Sequence, residues 1–291
     1  MGDLLREHGG DANFFLGNLT GDHEDDSLKT MPLSKYADES ALINHLKTKS
    51  DHFIVFSLNV HSLASKHNLL SIFIESLKRS GIKISAICLQ ECYFQDTSDP
   101  SSISTDLIQL ENYELIPQGA SVGKTGGLAI YLHESFRHKP RAPLSCRETD
   151  WEMQFIDIFG ESLKKPITLG NIYRPGRSSA NLIDSFISAV QSTIRKMGTP
   201  AKYQILTGDF NFNLLKFNES EKIGNFFDTL VSRRILPLLS HYQLALQILE
   251  HALSLIISGS DLLLAYQPLS STYHLVSLRT VSLITLPVFQ L

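Results

Sequence analysis

Six residues with polar side chains stand at or just past the ends of apolar, β-branched runs. Asn59 follows His52–Leu58, and Glu91 follows Ile82–Gln90. Tyr173 and Arg174 close the run that begins at Pro166, and Asp209 and Asn211 end the one that begins at Lys202. A carboxylate and an amide oxygen are hard donors of the kind Mg²⁺ takes. Such an ion polarises a phosphodiester and steadies charge on the leaving oxygen. Tyr173, Arg174 and Asn211 have donors for phosphate oxygens. Asp209 has a carboxylate to orient or deprotonate an attacking water. Each residue alone reads as an ordinary turn residue. Their ordered recurrence at four strand ends is what points to one cleft.

The elements that must position them follow from periodicity. His52–Leu58, Ile82–Gln90, Gly126–Leu132, Met153–Phe159, Pro166–Tyr173 and Lys202–Phe210 read as strands. Leu69, Leu70, Phe73, Ile74 and Leu77 recur at helical spacing before Lys78, Arg79 and Gly81, which end a helix. Leu182 to Ile194 is a second amphipathic helix, and Glu221 to Arg233 a third. Tyr36 to Lys49 is expected as a short helix in a leader, residues 1–50, that is partly disordered. Mixed strands and helices imply a layered α/β sandwich.

Bulk properties exclude several classes. The chain has 291 residues, 43% hydrophobic and 19% charged, which suits one large globular domain with an extension. A net charge of −4 limits any nucleic-acid contact to a local patch. Three cysteines favour a reducing compartment, with no disulfide framework or disulfide-linked partner. No signal pattern or membrane-length apolar run is present, so an intracellular, non-secreted chain with no membrane partner is expected. Gly119–Thr125 resembles a phosphate-binding loop but is one residue short and runs into a strand. Cys88 and Cys92 flank Glu91 without a second ligand pair for zinc. His133 and His138 are expected in a solvated loop, and Trp151 in packing.

The segments Ser57–Leu63, Ile87–Glu91, Gly126–Leu132, Asn171–Gly176 and Leu206–Leu215, in this order, resemble the endonuclease/exonuclease/phosphatase (DNase I-like) family. They are most similar to the apurinic-type endonuclease domain of LINE-type non-LTR retrotransposons. The resemblance spans about residues 51–238. It implies a four-layer α/β sandwich, two packed mixed sheets flanked by helices. It implies Mg²⁺, with Mn²⁺ as a substitute, on Asn59 and Glu91. It implies Tyr173 on the phosphate, and Asp209 and Asn211 on the nucleophilic water and the scissile phosphate. The implied reaction is hydrolytic nicking of DNA to leave a 3′-hydroxyl that primes reverse transcription, in the nucleus if the target is chromosomal. Lipid and inositol-phosphate phosphatases share the family and form a second reading; a decayed remnant or binding module forms a third.

The family ends in Pro-Thr-Arg, Leu-Ile-Asp-Asn-Ile and Ser-Asp-His segments, and residues 239–291 contain none of them. His241, His251 and His274 lack the preceding aspartate. A one-base shift of reading frame between Leu236 and Tyr242 accounts for this, because the shifted codons of the tail permit all three segments in order. The coding nucleotide sequence tests it. The expectations are incomplete C-terminal strands, an open sheet edge, and activity lowered by the roughly 10²–10⁴-fold that a missing acid–base residue costs.

Overall fold

The structure, a computed structural model, describes residues 35–37, 43–44, 46–48, 52–94, 106–119, 126–176, 180–197, 203–211, 220–232, 235–238, 264–268, 274–277 and 282–287. The strands are β1 (Lys35–Ala37), β2 (His52–Asn59), β3 (Ala86–Gln90), β4 (Tyr113–Gln118), β5 (Leu128–His133), β6 (Arg137–Pro140) and β7 (Cys146–Arg147). They continue with β8 (Glu152–Phe159), β9 (Ile167–Tyr173), β10 (Tyr203–Asp209), β11 (Ile235–Leu238), β12 (Leu264–Pro268), β13 (His274–Ser277) and β14 (Ser282–Pro287). The helices are α1 (Leu63–Arg79), α2 (Ala180–Lys196) and α3 (Glu221–Ser232). One sheet runs β1-β12-β14-β2-β3-β5-β4 and the other β11-β13-β10-β9-β8-β6, with β7 on β8. Both mix parallel and antiparallel pairs: β2 with β3 and β9 with β10 are parallel, β3 with β5 and β8 with β9 antiparallel.

Strand periodicity sets the layers. Phe53 and Val55 point between the sheets, where they meet Ile130, Ile156, Leu169 and Ile205. Ile54, Phe56 and Leu58, one residue out of phase, point outward to Leu70, Phe73 and Leu77 of α1. On the far side Phe155, Ile172 and Leu206 meet Phe186 and Val190 of α2 and Phe226 and Leu230 of α3. A strand buried on both faces needs no polar alternation, which is why β2 reads as a continuous apolar run. The result is helix, sheet, sheet, helix: the expected four-layer α/β sandwich. Gly170 of β9 lies so close to the Phe155 ring and Leu206 that a methyl group has no room. Gly170→Ala is expected to cost about 1–3 kcal/mol by overpacking, read as a lowered midpoint in urea.

Several elements differ from expectation. Tyr36 sits in strand β1, paired antiparallel with β12, and not in a helix; the first described helical residues are Ile43 and Asn44. Tyr113–Gln118, with Pro117 inside it, is an edge strand that its mixed composition concealed. His138 lies in strand β6, with its side chain 16% exposed and 3.4 Å from Glu114, and not in a solvated loop. The tail does supply strands. β14 pairs antiparallel with β2, β13 lies parallel between β10 and β11, and β12 joins β1 to β14. The tail kept enough β-branched and apolar residues, such as Val276, Ile284 and Thr285, to meet strand requirements. Most of the expected leader, residues 239–263 and Ala120–Thr125 of the loop-like segment lie outside the described residues. Among the described residues no helix is long and apolar enough to cross a membrane. Cys88 and Cys92 are buried free thiols, as read, and burial pushes the half-buried Cys146 thiol up to about 11.

His133 closes β5 at the pole opposite the polar strand ends. Its Nδ1 accepts the Ser135 backbone N–H at 3.1 Å, so that nitrogen carries no proton. Burial, then the Lys83 charge, lowers its pKa below the usual 6.5. The unfolded chain thus binds this proton more readily, and stability falls as pH drops below about 6.5. His133→Asn should flatten the stability slope over that window in thermal melts.

Candidate active site at the polar strand ends

The C-terminal ends of β2, β3, β9 and β10 converge at one pole of the sandwich. Asn59 Nδ2 donates to Glu91 Oε1 at 2.7 Å and to Asp209 Oδ2 at 2.9 Å. Residues separated by 150 positions in sequence thus meet through a single amide. Tyr173 pairs in register with Asp209 at the same strand end, beside Glu91. Asn211 N–H donates to Asp209 Oδ1 at 3.1 Å, the turn that Asp favours. Asn59, Glu91, Tyr173, Asp209 and Asn211 therefore share one site.

Glu91 is the centre of this network, with its side chain 14% exposed. Burial raises the pKa of its carboxyl, yet hydrogen bonds from Tyr93, Asn59, His61 and Tyr173 outweigh it and leave the group below the usual carboxylate range. The same contacts act oppositely on the tyrosines. Burial first, and then the Glu91 charge, pushes the Tyr173 hydroxyl far up, so it stays a donor. Burial and the bond to Glu91 do the same for Tyr93.

The backbone is strained here. Among the described non-glycine residues, His61, Ser62, Glu91, Tyr93, Asn112 and Asn211 have positive φ, and all except Asn112 belong to this pole. Such conformations cost energy and persist where surrounding contacts over-determine them. Gly208, at φ 141, sits directly on the Ile172 carbonyl, so the Gly-Asp turn has no space for a side chain.

Arg174, expected to bind substrate, is held beneath the site. It is 3% exposed. Its guanidinium donates to the backbone carbonyls of Phe210 (2.8 Å), Pro175 (3.1 Å) and Asn211 (2.6 Å), and stacks over Phe186 at 5.8 Å. Its backbone N–H donates to Asp209 O at 2.9 Å, and Asn211 Nδ2 donates to its carbonyl at 2.6 Å. Arg174 therefore braces the Asp209–Asn211 turn from beneath. A fork of donors with fixed geometry suits three carbonyls as well as it suits phosphate.

Three participants were not picked out from the sequence. His61 and Tyr93 each lie two residues beyond an expected site residue, and that shared spacing was the one available signal. Glu152, buried at the start of β8, accepts the Gly127 N–H at 2.7 Å. Gly126 and Gly127 in turn hold the Tyr93 and Cys92 N–H groups through their carbonyls. Nothing in the local sequence marks Glu152. Beneath the site, buried Gln90 donates to Asn171 Oδ1 at 2.6 Å across the gap between sheets, and Asn171 donates back to Leu89 and Ala129 carbonyls. His274 is placed far from the site. By register it lies opposite Gln204, five residues before Asp209, or about 16 Å at the strand rise.

No family model matches the chain. Its fold is similar to that of AP endonuclease LMAP from Leishmania major, with 14% identity and a TM-score of 0.48, covering 64% of this chain and 68% of that one. It is similar to TDP2 from D. rerio complexed with a single-strand DNA product (14%, 0.42, 60% and 64%). It is also similar to an endonuclease/exonuclease/phosphatase family protein from Bacteroides thetaiotaomicron (15%, 0.44, 63% and 68%). These likenesses are remote, and the chemistry must be argued from the chain's own side chains.

Proposed function

We propose that the chain is a Mg²⁺-dependent phosphodiesterase that nicks DNA, of the kind found in LINE-type retrotransposons, with a reduced rate. The observation that carries this is the meeting of Glu91 and Asp209 on the single Asn59 amide. Two carboxylates turned toward one neutral group make a pole that favours a cation. The donors are oxygens: the Glu91 carboxylate and, on the other side of the amide, Asn59 Oδ1, which accepts the His61 N–H at only 3.3 Å. Among the described residues no three His, Cys, Asp or Glu side chains group as a metal cage. Mg²⁺ is held in this sparse way elsewhere, by one or two carboxylates with the rest of its shell water. The residues present fit that ion, through Glu91 and Asn59.

When bound, Mg²⁺ supplies Lewis-acid polarisation of the phosphate and stabilises the leaving oxygen. The other roles belong to the chain. Asp209, anchored by Asn59 and by the Asn211 N–H, orients the attacking water. Tyr173, held protonated, donates to the phosphate. Asn211 has a buried Oδ1 that lacks a partner among the described residues. The sequence after Leu238 lacks the family's terminal Ser-Asp-His, so a low rate is expected. The Asn171–Gly176 and Leu206–Leu215 segments favour the retrotransposon branch over the phosphatases.

The test is supercoiled plasmid with Mg²⁺. Slow conversion to open circles with 3′-hydroxyl ends is expected. Release of phosphate from a phosphoinositide without nicking would move the chain to the phosphatase branch. No turnover of either, with a folded protein, would leave a remnant.

A further inference from the structure

Two pairs of residues with the same spacing, Asn59 with His61 and Glu91 with Tyr93, stand at the ends of the adjacent parallel strands β2 and β3. Between them, His61 Nδ1 lies 2.8 Å from Glu91 Oε2 and 2.7 Å from the Tyr93 hydroxyl. That hydroxyl donates to the same carboxylate oxygen at 2.5 Å. The imidazole also meets the Tyr93 ring edge-on, with centroids 5.1 Å apart. Core packing does not explain this arrangement: the His61 side chain is 75% exposed and its backbone holds φ 45. An exposed side chain on strained backbone gives up rotamer freedom and backbone energy to stay beside Glu91.

Resting on the metal-centre reading above, we propose that His61 Nδ1 is a third ligand of the cation and turns the site's preference toward Mn²⁺. Adjacent donors on an octahedral ion with bonds of about 2.1 Å lie about 3.0 Å apart. The Nδ1–Oε2 separation of 2.8 Å needs only a few tenths of an ångström of spreading to fit. Asn59 Oδ1 lies 3.3 Å from the His61 backbone nitrogen. Carboxylate and amide oxygens alone are hard donors suited to Mg²⁺, whereas an imidazole nitrogen suits transition metals. Tyr93 keeps its proton and steadies the carboxylate oxygen next to the imidazole.

The test is calorimetric titration of the chelator-treated full chain with Mg²⁺ and with Mn²⁺, alongside Mn²⁺ electron paramagnetic resonance for nitrogen coupling. His61→Gly tolerates the backbone conformation and removes the ligand. The wild-type chain is expected to bind Mn²⁺ more tightly than Mg²⁺ and to show imidazole nitrogen coupling. His61→Gly should lose about tenfold or more in Mn²⁺ affinity and all nitrogen coupling, with a clearly smaller loss for Mg²⁺. Equal losses for both ions, or unchanged Mn²⁺ binding, overturn the assignment of His61. If Glu91→Gln still abolishes binding of both ions in that case, the metal centre stands without His61. If folded wild-type chain takes up neither ion, the metal centre itself fails.

Discussion

Glu91→Gln should bring Mg²⁺-dependent nicking down to the level without protein, a loss of at least about 10²-fold, while the chain stays folded. The substitution preserves shape and removes the charge that attracts the ion, and Lewis-acid stabilisation is worth several kcal/mol at about 1.4 kcal/mol per tenfold. It also replaces one acceptor oxygen with a donor. Asn59 Nδ2 faces one oxygen, and Tyr93 and His61 face the other, so some donor must lose its partner whichever way the amide turns. Loss of a charge-assisted hydrogen bond costs about 1.5–3 kcal/mol, so a lower melting temperature should accompany the loss of activity. The acid limb of stability should change as well. The folded-state pKa of Glu91 lies below the usual 4.5, so its stabilisation is full above that value and fades as pH falls through the folded one. Glu91→Gln should lack that part of the slope. Undiminished nicking in a folded Glu91→Gln protein would remove Glu91 from the chemistry.

Arg174→Ala should damage fold and activity together. Truncation removes the Arg174 donors from the carbonyls of Phe210, Pro175 and Asn211, and a buried acceptor left without any donor costs about 1–3 kcal/mol. A loss of about 3–5 kcal/mol in all is expected, read in urea melts. The surviving folded fraction should nick at least about 10²-fold more slowly, because Asp209 and Asn211 lose their support and small misplacements are costly. Arg174→Lys should recover only part of the stability, since one ammonium cannot reproduce a planar fork. A direct phosphate contact predicts otherwise: normal stability, weaker substrate binding and substantial rescue by lysine.

The contrast between these two residues shows what the sequence could reveal. Glu91 and Asp209 were legible because apolar runs delivered them to strand ends, and parallel neighbours bring such ends to one pole. Arg174 stood in the same position, and sequence does not say whether a guanidinium points outward or folds back under its own loop. Glu152 gave no signal, since its role depends on a glycine pair that lies next to it only after the sheets have packed. The four layers could be read from the doubly apolar strands. The edge strands could not: Tyr113–Gln118 and Arg137–Pro140 have one open side and compositions close to those of loops. The tail was expected to leave a gap because its motifs were missing, yet strand formation requires only suitable residue types in sequence, and those it retained.

The pairing of β2 with β14 has a consequence during synthesis. Residues 52–59 find one of their two neighbours more than 220 positions later, and β10 likewise waits for β13. As the ribosome releases the chain, both strands have unpaired amide and carbonyl rows, with nothing yet made to cover them. Nascent chains stalled before residue 274 should therefore depend on chaperones, or join edge to edge with one another, to a degree that finished chains do not.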